Sequence, residues 1–170
     1  MVNKPFVALL MGSDSDFEVM QISLETLRSF NIPCEVRITS AHRTPKATHD
    51  YVKEAEQRGC AVFIAAAGLA AHLAGAVAAI TIRPVIGVPL SAGSLQGIDA
   101  LLSTVQMPGG IPVATVAIGK AGAKNAAILA AQILALHDLS LADRLMKQRQ
   151  TEQEAVFAKN QQLHAMLAEQ

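Results

Sequence analysis

The sequence predicts an α/β fold in which five parallel strands form a doubly wound sheet, with an added C-terminal helix. Strand-like and helix-like segments alternate five times along the chain. Most of the strand-like segments are continuous apolar runs, as at 6–11 and 60–65. Such runs are typical of strands that are buried on both faces of a parallel sheet.

Each unit of the predicted fold pairs one strand with the helix that follows it. In the first helix, Phe17, Met20, Leu24 and Leu27 recur at helical spacing. The five strand–helix pairs are, in chain order, 6–11 with 16–30, 34–39 with 45–58, 60–65 with 71–82, 85–88 with 97–105, and 112–118 with 123–137. Because the connections are short and no Ser-, Gly- or Pro-rich linker divides the chain, we expect one α/β domain over residues 1–138.

Residues 140–170 predict a sixth helix, rich in Gln, Glu, Lys and Arg. Its apolar residues are scattered, namely Leu141, Leu145, Val156, Leu163 and Leu167. This stripe is too thin to close the core of a monomer. We therefore expect an extension over 139–170 that lies across a neighbouring subunit, the alternative being a solvated tail.

The composition favours a protein that assembles with copies of itself. Of 170 residues, 51% are hydrophobic and only 16% are charged, whereas a monomer of this size normally carries more charge on its surface. Many of the hydrophobic residues are alanines, which suit helices that also bury a face against other subunits. We therefore expect a homo-oligomer.

Charge, cysteines and hydropathy exclude several classes of partner. Lys and Arg balance Asp and Glu at 14 each, and there is no Trp, so neither nucleic acid nor a membrane surface is an expected partner. Cys34 and Cys60 fall at the starts of strands and are interpreted as buried thiols of a reducing compartment. No signal peptide is visible before the first strand, and Gly68, His72 and Gly75 interrupt the apolar stretch 60–82. We expect a cytoplasmic protein.

Polar and glycine residues gather where the predicted strands end. Because the carboxyl ends of parallel strands meet at one edge of a sheet, these segments should converge on one site. They are 11–16 after the first strand, 40–43 after the second, 67–72 after the third, 89–94 after the fourth and 119–122 after the fifth.

The segment 12–16, Gly-Ser-Asp-Ser-Asp, offers backbone N–H groups and hydroxyls at the start of a helix. Such a segment can hold a phosphate, although Ser and Asp also cap helices in general. It matches neither the G-x-G-x-x-G fingerprint nor the P-loop. Asp16 could pair with ribose hydroxyls or only favour the positive end of the helix.

The segment 40–45, Ser-Ala-His-Arg-Thr-Pro, ends a strand and opens a helix, with Thr44 as the expected N-cap and Pro45 as the first helical residue. It supplies an imidazole, His42, which can act as a general acid or base, and a guanidinium that can pair with phosphate. His72 should lie on the adjacent loop. One alternative is that both are hydrogen-bonded loop histidines. The other is a metal site, but the sequence has no H-x-x-x-H or C-x-x-C spacing to support it. No G-x-S-x-G elbow is present either.

These motifs resemble those of the bacterial N5-carboxyaminoimidazole ribonucleotide mutases, the PurE family. The resemblance covers residues 6–138 and is carried by 12–16, by 40–45, by Ala-Ala-His-Leu at 70–73, and by 105–112 through 117–122. It implies a step of de novo purine synthesis in which a carboxylate moves from the exocyclic nitrogen to C4 of aminoimidazole ribonucleotide.

The resemblance also implies a role for each residue of the site. His42 would shuttle the proton, with no metal and no organic cofactor. Ser13, Asp16 and Arg43 would bind the ribose and phosphate of the nucleotide substrate, Ser40 would line the site, and Gly68 and His72 would border the carboxylate. The family resemblance further implies an octamer in which the C-terminal helix reaches a neighbour.

This chain departs from the family pattern at four positions. Leu69 stands where the family usually has a second glycine, Ala74 where it has proline, and Ser91 and Gly109 where some members have more polar residues. Leu69 is the one next to the expected carboxylate pocket. Because leucine does not easily adopt positive φ, we expect an ordinary, non-positive φ at Leu69. Its side chain should then turn away from the pocket into apolar neighbours.

Two other functions are compatible with the fold. One is the sister activity, the direct carboxylation of aminoimidazole ribonucleotide with CO2. That branch tends to carry lysine in place of Arg43 and lacks the Ala-Ala-His run, so this sequence favours the mutase. The other is a non-catalytic nucleotide-binding module of flavodoxin-like fold, which would not explain the second histidine.

Overall fold

Five parallel strands form the centre of the fold in the computed structural model, which describes residues 4–168. The strands are β1 (Phe6–Met11), β2 (Cys34–Ile38), β3 (Cys60–Gly68), β4 (Val85–Leu90) and β5 (Ala114–Thr115). The helices are α1 (Phe17–Ser29), α2 (Pro45–Gln57), α3 (Leu73–Ala78), α4 (Ile98–Val105), α5 (Lys120–Ala135) and α6 (Leu139–Ala168). A single 3-10 turn, Asp14–Asp16, precedes α1. The strand order is β2-β1-β3-β4-β5.

The predicted doubly wound parallel sheet is confirmed, with helices on both of its faces. On one face, Leu10 and Phe63 of the sheet pack with Tyr51 of α2 and Val77 of α3. On the other face lies α1, whose Met20 and Leu27 are fully buried. Helix α5 is tied to α1 by the buried Ser23 hydroxyl, which donates to the Ala123 carbonyl at 2.6 Å.

Three strands differ from their predicted form. Strand β2 lies at an edge of the sheet, so Val36 and Ile38 are exposed rather than buried. Strand β3 extends to Gly68, because it stays paired with β4 as far as Leu90. Strand β5 has two residues where 112–118 was predicted. Beyond it the backbone still donates to β4, from Val116 to Gly87 and from Gly119 to Pro89, without a continuous ladder.

The ends of two helices also differ from prediction. Helix α3 spans only Leu73–Ala78, within the predicted 71–82, because the chain turns at Ala79 and Ile80 before Pro84. Helix α2 begins with Pro45 at its first turn as expected, and Gly59 with φ of 99° follows its end. Thr44 occupies the N-cap position of α2 but makes no side-chain cap bond, because its hydroxyl bonds Ser40 instead.

Strand β2 and helix α2, which flank the segment carrying His42, are joined by the Glu35 carboxylate. Arg58 donates to both of its oxygens, one of them at 2.8 Å, and the Tyr51 hydroxyl donates to it at 3.0 Å. The hydrogen bonds from Arg58 lower the pKa of Glu35. This cluster holds the amino end of β2 against the carboxyl end of α2.

Both cysteines are free, with Cys60 buried and Cys34 half-buried. Burial raises the pKa of the Cys34 thiol to about 12 and that of Cys60 to about 11. Both side chains therefore stay protonated near neutral pH and pack as small apolar groups, as the sequence predicted for Cys60 and in part for Cys34.

The chain divides into two compact units, one ending at Ala131 and the other starting at Gln132. In the second unit α6 starts where Asp138 accepts the Leu141 N–H at 3.0 Å. Leu141 and Leu145 are buried, whereas Val156 and Leu163 are exposed. No helix within residues 4–168 combines the length and the hydropathy that a membrane span requires.

Gly87 of β4 provides a test of the packing between the sheet and α4. A Cβ at this position would collide with Thr104 Cγ2 and would lie 2.9 Å from Val113 Cγ1. We predict that Gly87→Ala lowers the free energy of unfolding by about 1–3 kcal/mol, as overpacked cores do. Urea denaturation at fixed protein concentration measures this change.

Gly109→Ala is the matched control, because no atom among the described residues lies within 4 Å of its Cβ position. A second change, Thr104→Ser, removes the colliding methyl group and should restore part of the stability lost in Gly87→Ala. Equal stabilities of Gly87→Ala and Gly109→Ala would contradict this account of the packing.

Candidate active site

A cavity of about 340 Å³ opens at the carboxyl ends of β1 and β3. This is the switch point of the sheet, since the chain leaves β1 toward β2 on one side and returns to β3 on the other. Ligands of open α/β sheets bind at such points. All seven predicted site residues line this cavity, namely Ser13, Asp16, Ser40, His42, Arg43, Gly68 and His72.

The two histidines are hydrogen-bonded to each other across two loops. Nε2 of His42 lies 2.7 Å from Nδ1 of His72, and the rings meet edge to face with centroids 4.8 Å apart. Such a bond requires one donor and one acceptor, so at least one of the two imidazoles is neutral. When both rings are neutral, the pair can accept one proton from a bound molecule and keep this bond.

A group of hydroxyls beneath the loop holds His42 in position. The Thr39 and Thr48 hydroxyls, both buried, lie 2.6 Å apart, and Thr48 also donates to the Thr44 carbonyl. The Thr44 hydroxyl accepts the Ser40 N–H at 3.0 Å, and the Ser40 hydroxyl accepts the Arg43 N–H at 3.1 Å. These bonds close on either side of His42 and tie its loop to the start of α2.

The segment after β1 forms a capping box. The Ser13 N–H donates to Asp16 Oδ2 at 3.0 Å, and the Ser13 hydroxyl accepts the Ser15 N–H at 3.3 Å. Burial raises the pKa of the Asp16 carboxyl, against the lowering effect of the Ser13 N–H bond. Asp16 thus has a structural role within the turn, while its position on the cavity wall leaves it available to a ligand.

Arg43 supplies a positive charge to the cavity wall. Within the part of the chain that the structure describes, its guanidinium takes part in no ion pair. Its charge is therefore not neutralised by a neighbouring carboxylate. An anion in the cavity could bind it with two parallel hydrogen bonds.

Leu69 contradicts the expectation drawn from the sequence. Its φ is 54°, which lies in the left-handed region, and its side chain is 53% exposed and lines the cavity. The prediction of a non-positive φ was therefore wrong, and so was the prediction that the side chain turns away from the pocket. Extension of β3 to Gly68 makes the chain turn within the next residue, and Leu69 takes that turn.

The cavity also contains residues that sequence reasoning did not single out as site residues. Ser15 lies on the same turn as Ser13, and Ala92 belongs to the segment after β4 that was expected near the site. Among residues 4–168, none from the segment after β5 lines the cavity. Strand β5 is the edge strand that lies two strands away from β3. Ala74, Ser91 and Gly109 are likewise absent from the described lining.

The side chains of the cavity are not arranged as a metal site. Among residues 4–168, no three His, Cys, Asp or Glu side chains are grouped so that they could hold a metal ion. A larger cavity of about 520 Å³ lies near the amino end of β4, between residues such as Ile82, Pro84 and Ile111. Its lining is mostly apolar and lacks histidine and carboxylate.

Comparison with known proteins identifies the family of this chain. The family described as AIR carboxylase matches residues 6–155. The N5-carboxyaminoimidazole ribonucleotide mutase of Bacillus subtilis is 50% identical over 160 residues, which is 94% of this chain and 99% of that protein. The protein of the same name from Escherichia coli K12 is 51% identical over 155 residues, which is 91% of this chain and 92% of that protein.

A solved structure supports the same relationship. The crystal structure of Treponema denticola PurE matches with a TM-score of 0.85 at 32% identity, covering 94% of this chain and 98% of that one. The family match spans most of the sequence, including the four segments that line the cavity. The chain belongs to the AIR carboxylase family.

Proposed function

We propose that this protein is an N5-carboxyaminoimidazole ribonucleotide mutase, an isomerase of de novo purine biosynthesis. It converts N5-carboxyaminoimidazole ribonucleotide into 4-carboxyaminoimidazole ribonucleotide. The observation that carries the proposal is the hydrogen-bonded pair of His42 and His72 on the wall of a cavity at the switch point of the sheet. About 50% identity to proteins of that name over nearly the whole chain supports the same activity.

The reaction requires one proton to be donated to the exocyclic nitrogen and one proton to be removed from C4. The bond between the exocyclic nitrogen and its carboxylate breaks, CO2 leaves, and the nitrogen takes a proton to become an amine. C4 of the ring then bonds to the carbon of CO2 and loses its own proton. His42 donates the first proton and accepts the second, and its bond to His72 keeps the ring oriented throughout.

The cavity divides into a polar and an apolar part that suit the two ends of this substrate. Ser13, Asp16 and Arg43, on the segments after β1 and β2, bind the ribose and phosphate. Ser40 lines the site beside them, and Gly68 with His72 borders the migrating carboxylate. The small residues around Gly68 leave a tight apolar space that holds CO2 and excludes water.

The two alternative functions give different assay results. A mutase forms the C4-carboxylated product from the N5-carboxylated substrate alone. A direct carboxylase forms it from aminoimidazole ribonucleotide and CO2, and a binding module forms it from neither. Following product formation separately from the two substrates, with purified protein, therefore distinguishes the three functions.

We further propose that the protein works in the cytoplasm as a homo-octamer, and exposed apolar side chains support assembly. Ile98, Leu102 and Val105 of α4 are about half exposed, and Ile82 is 95% exposed. These residues would be covered by other subunits. The catalytic domain would then comprise residues 1–138, and 139–170 would pack on a neighbour.

We predict that His42→Asn slows turnover by roughly 10²–10⁴-fold, the usual worth of a general acid–base group. Nucleotide binding should change little, since the substitution removes the proton carrier and leaves the loop bonds in place. Product formation and calorimetric titration with product measure the two effects. His49→Asn, on the exposed side of α2, is the control. Retention of more than about half of the wild-type rate in His42→Asn would rule out this role.

We predict that Arg43→Ala weakens binding of the product nucleotide by about 1.5–3 kcal/mol, the contribution of a charge-assisted hydrogen bond. Lys46→Ala removes the same charge from the first turn of α2, where Lys46 pairs with Asp50 instead of lining the cavity. Titration calorimetry compares the two variants. Equal affinities in wild type and Arg43→Ala would disprove the phosphate role.

Light scattering should give the mass of an octamer of the 17.9 kDa chain. Leu102→Glu should lower that mass, because a charge would enter a covered apolar face, whereas Leu102→Met should not. Deleting residues 141–170 should also loosen the assembly. A stable wild-type monomer would refute the proposed oligomer.

A further inference from the structure

Leu69 combines two unfavourable features at the edge of the cavity. Its backbone is left-handed, which for a bulky side chain is a true outlier, and its side chain is 53% exposed to solvent. The strain is therefore not offset by burial within the chain. Strained residues of this kind concentrate at functional sites, where the conformation serves the ligand.

The Leu69 side chain lies against the loop that follows β4. Its Cδ2 lies 2.8 Å from where a Cβ of residue 93 would stand, so the leucine occupies space that is open only because that residue is glycine. Gly93 itself has φ of 63°. The loops after β3 and β4 thus meet at this contact.

Leu69 also differs chemically from the rest of the cavity wall. The apolar lining otherwise consists of Leu73, which is buried, and of the small residues Gly12, Ala41, Ala67, Gly68, Ala70 and Ala92. Leu69 is therefore the residue of this lining that offers a ligand a large apolar surface. The strand order places Leu69 after β3, which lies between β1 and β4 and is separated by β1 from β2, the strand that Arg43 follows.

We propose that Leu69 is a specificity-determining residue whose side chain packs against the aminoimidazole ring of the nucleotide. This proposal rests on the proposed function, which supplies the ligand. The polar side of the cavity holds the ribose and phosphate, so the ring extends toward β3 and β4. There the leucine covers it and holds its reacting edge against the histidine pair.

The experiment compares two ligands that share the ribose phosphate and differ in the ring. Titration calorimetry measures binding of 4-carboxyaminoimidazole ribonucleotide and of ribose 5-phosphate to wild type and Leu69→Gly. We expect Leu69→Gly to bind the ring-bearing nucleotide roughly tenfold more weakly, as loss of half-buried leucine surface implies. Its affinity for ribose 5-phosphate should stay within about twofold of wild type, because that ligand has no ring to cover.

Three further variants separate the ring contact from the backbone strain. Asn31→Gly places a glycine at a second left-handed position, with φ of 56°, at the opposite end of the strands. Because Asn tolerates this φ, Asn31→Gly should not raise the unfolding temperature or weaken nucleotide binding, whereas Leu69→Gly should do both. Leu69→Asn, which tolerates the same φ without an apolar surface, should bind the nucleotide as weakly as Leu69→Gly. Leu69→Met should bind it within about threefold of wild type.

Several results would overturn the proposal. These are an unchanged nucleotide affinity in Leu69→Gly, an equal loss for both ligands, or a lower assembly mass by light scattering, which would make Leu69 a subunit contact. The turnover of wild type on the N5-carboxylated substrate tests the proposed function separately. If wild type binds the nucleotide in the expected Leu69-dependent way but has no turnover, the ring contact stands and the mutase function fails.

Discussion

The pairing of β1 with β3 is the constraint on which the rest of this structure depends. Strand β1 is fully buried and pairs on both sides, with β2 from Val7 to Met11 and with β3 from Phe6 to Met11. Because all three strands run in parallel, their carboxyl ends lie at one edge. The chain crosses from one side of β1 to the other between β2 and β3, and this crossing opens the cleft between the loops that carry His42 and His72.

The division of the cavity follows from the same order of strands. Loops on the β1 and β2 side carry hydroxyls, a carboxylate and an unpaired guanidinium, whereas the loops after β3 and β4 supply alanine, glycine and leucine together with His72. The His42–His72 bond lies where the two sides meet. A nucleotide has the same division, with a charged phosphate at one end and a planar ring at the other.

The sequence was sufficient to predict the fold class and the residues that gather at the switch point, because both depend on local signals. Apolar runs identify buried strands, and polar segments after them identify the edge at which they meet. The exposure of Val36 and Ile38 on β2 could not be predicted, since a strand's own sequence does not show whether it lies inside the sheet or at its edge. The length of β5 also depends on pairing with β4, which a local pattern does not contain.

Leu69 shows a different limit of sequence reasoning. Its residue type argued for an ordinary backbone, and the turn after β3 requires the opposite. Propensity describes the backbone conformation that a residue type prefers in isolation. Here only Leu69 to Ala71 and the N-cap His72 connect the end of β3 to the start of α3. The tertiary structure overrides the preference. The contact with the position of Gly93, which is distant in sequence, could be seen only in the folded chain.

The buried hydroxyls beneath the His42 loop have a consequence for how this sequence can evolve. If Thr39 were replaced first by an apolar residue, the Thr48 hydroxyl would keep the Thr44 carbonyl as its acceptor at 3.1 Å. If Thr48 were lost first, Thr39 would keep only the 3.4 Å contact with the Thr44 hydroxyl. A buried hydroxyl without a good partner is costly, whereas an apolar pair of the same shape is nearly neutral. Replacement of both threonines by apolar residues is therefore less costly when Thr39 is replaced before Thr48.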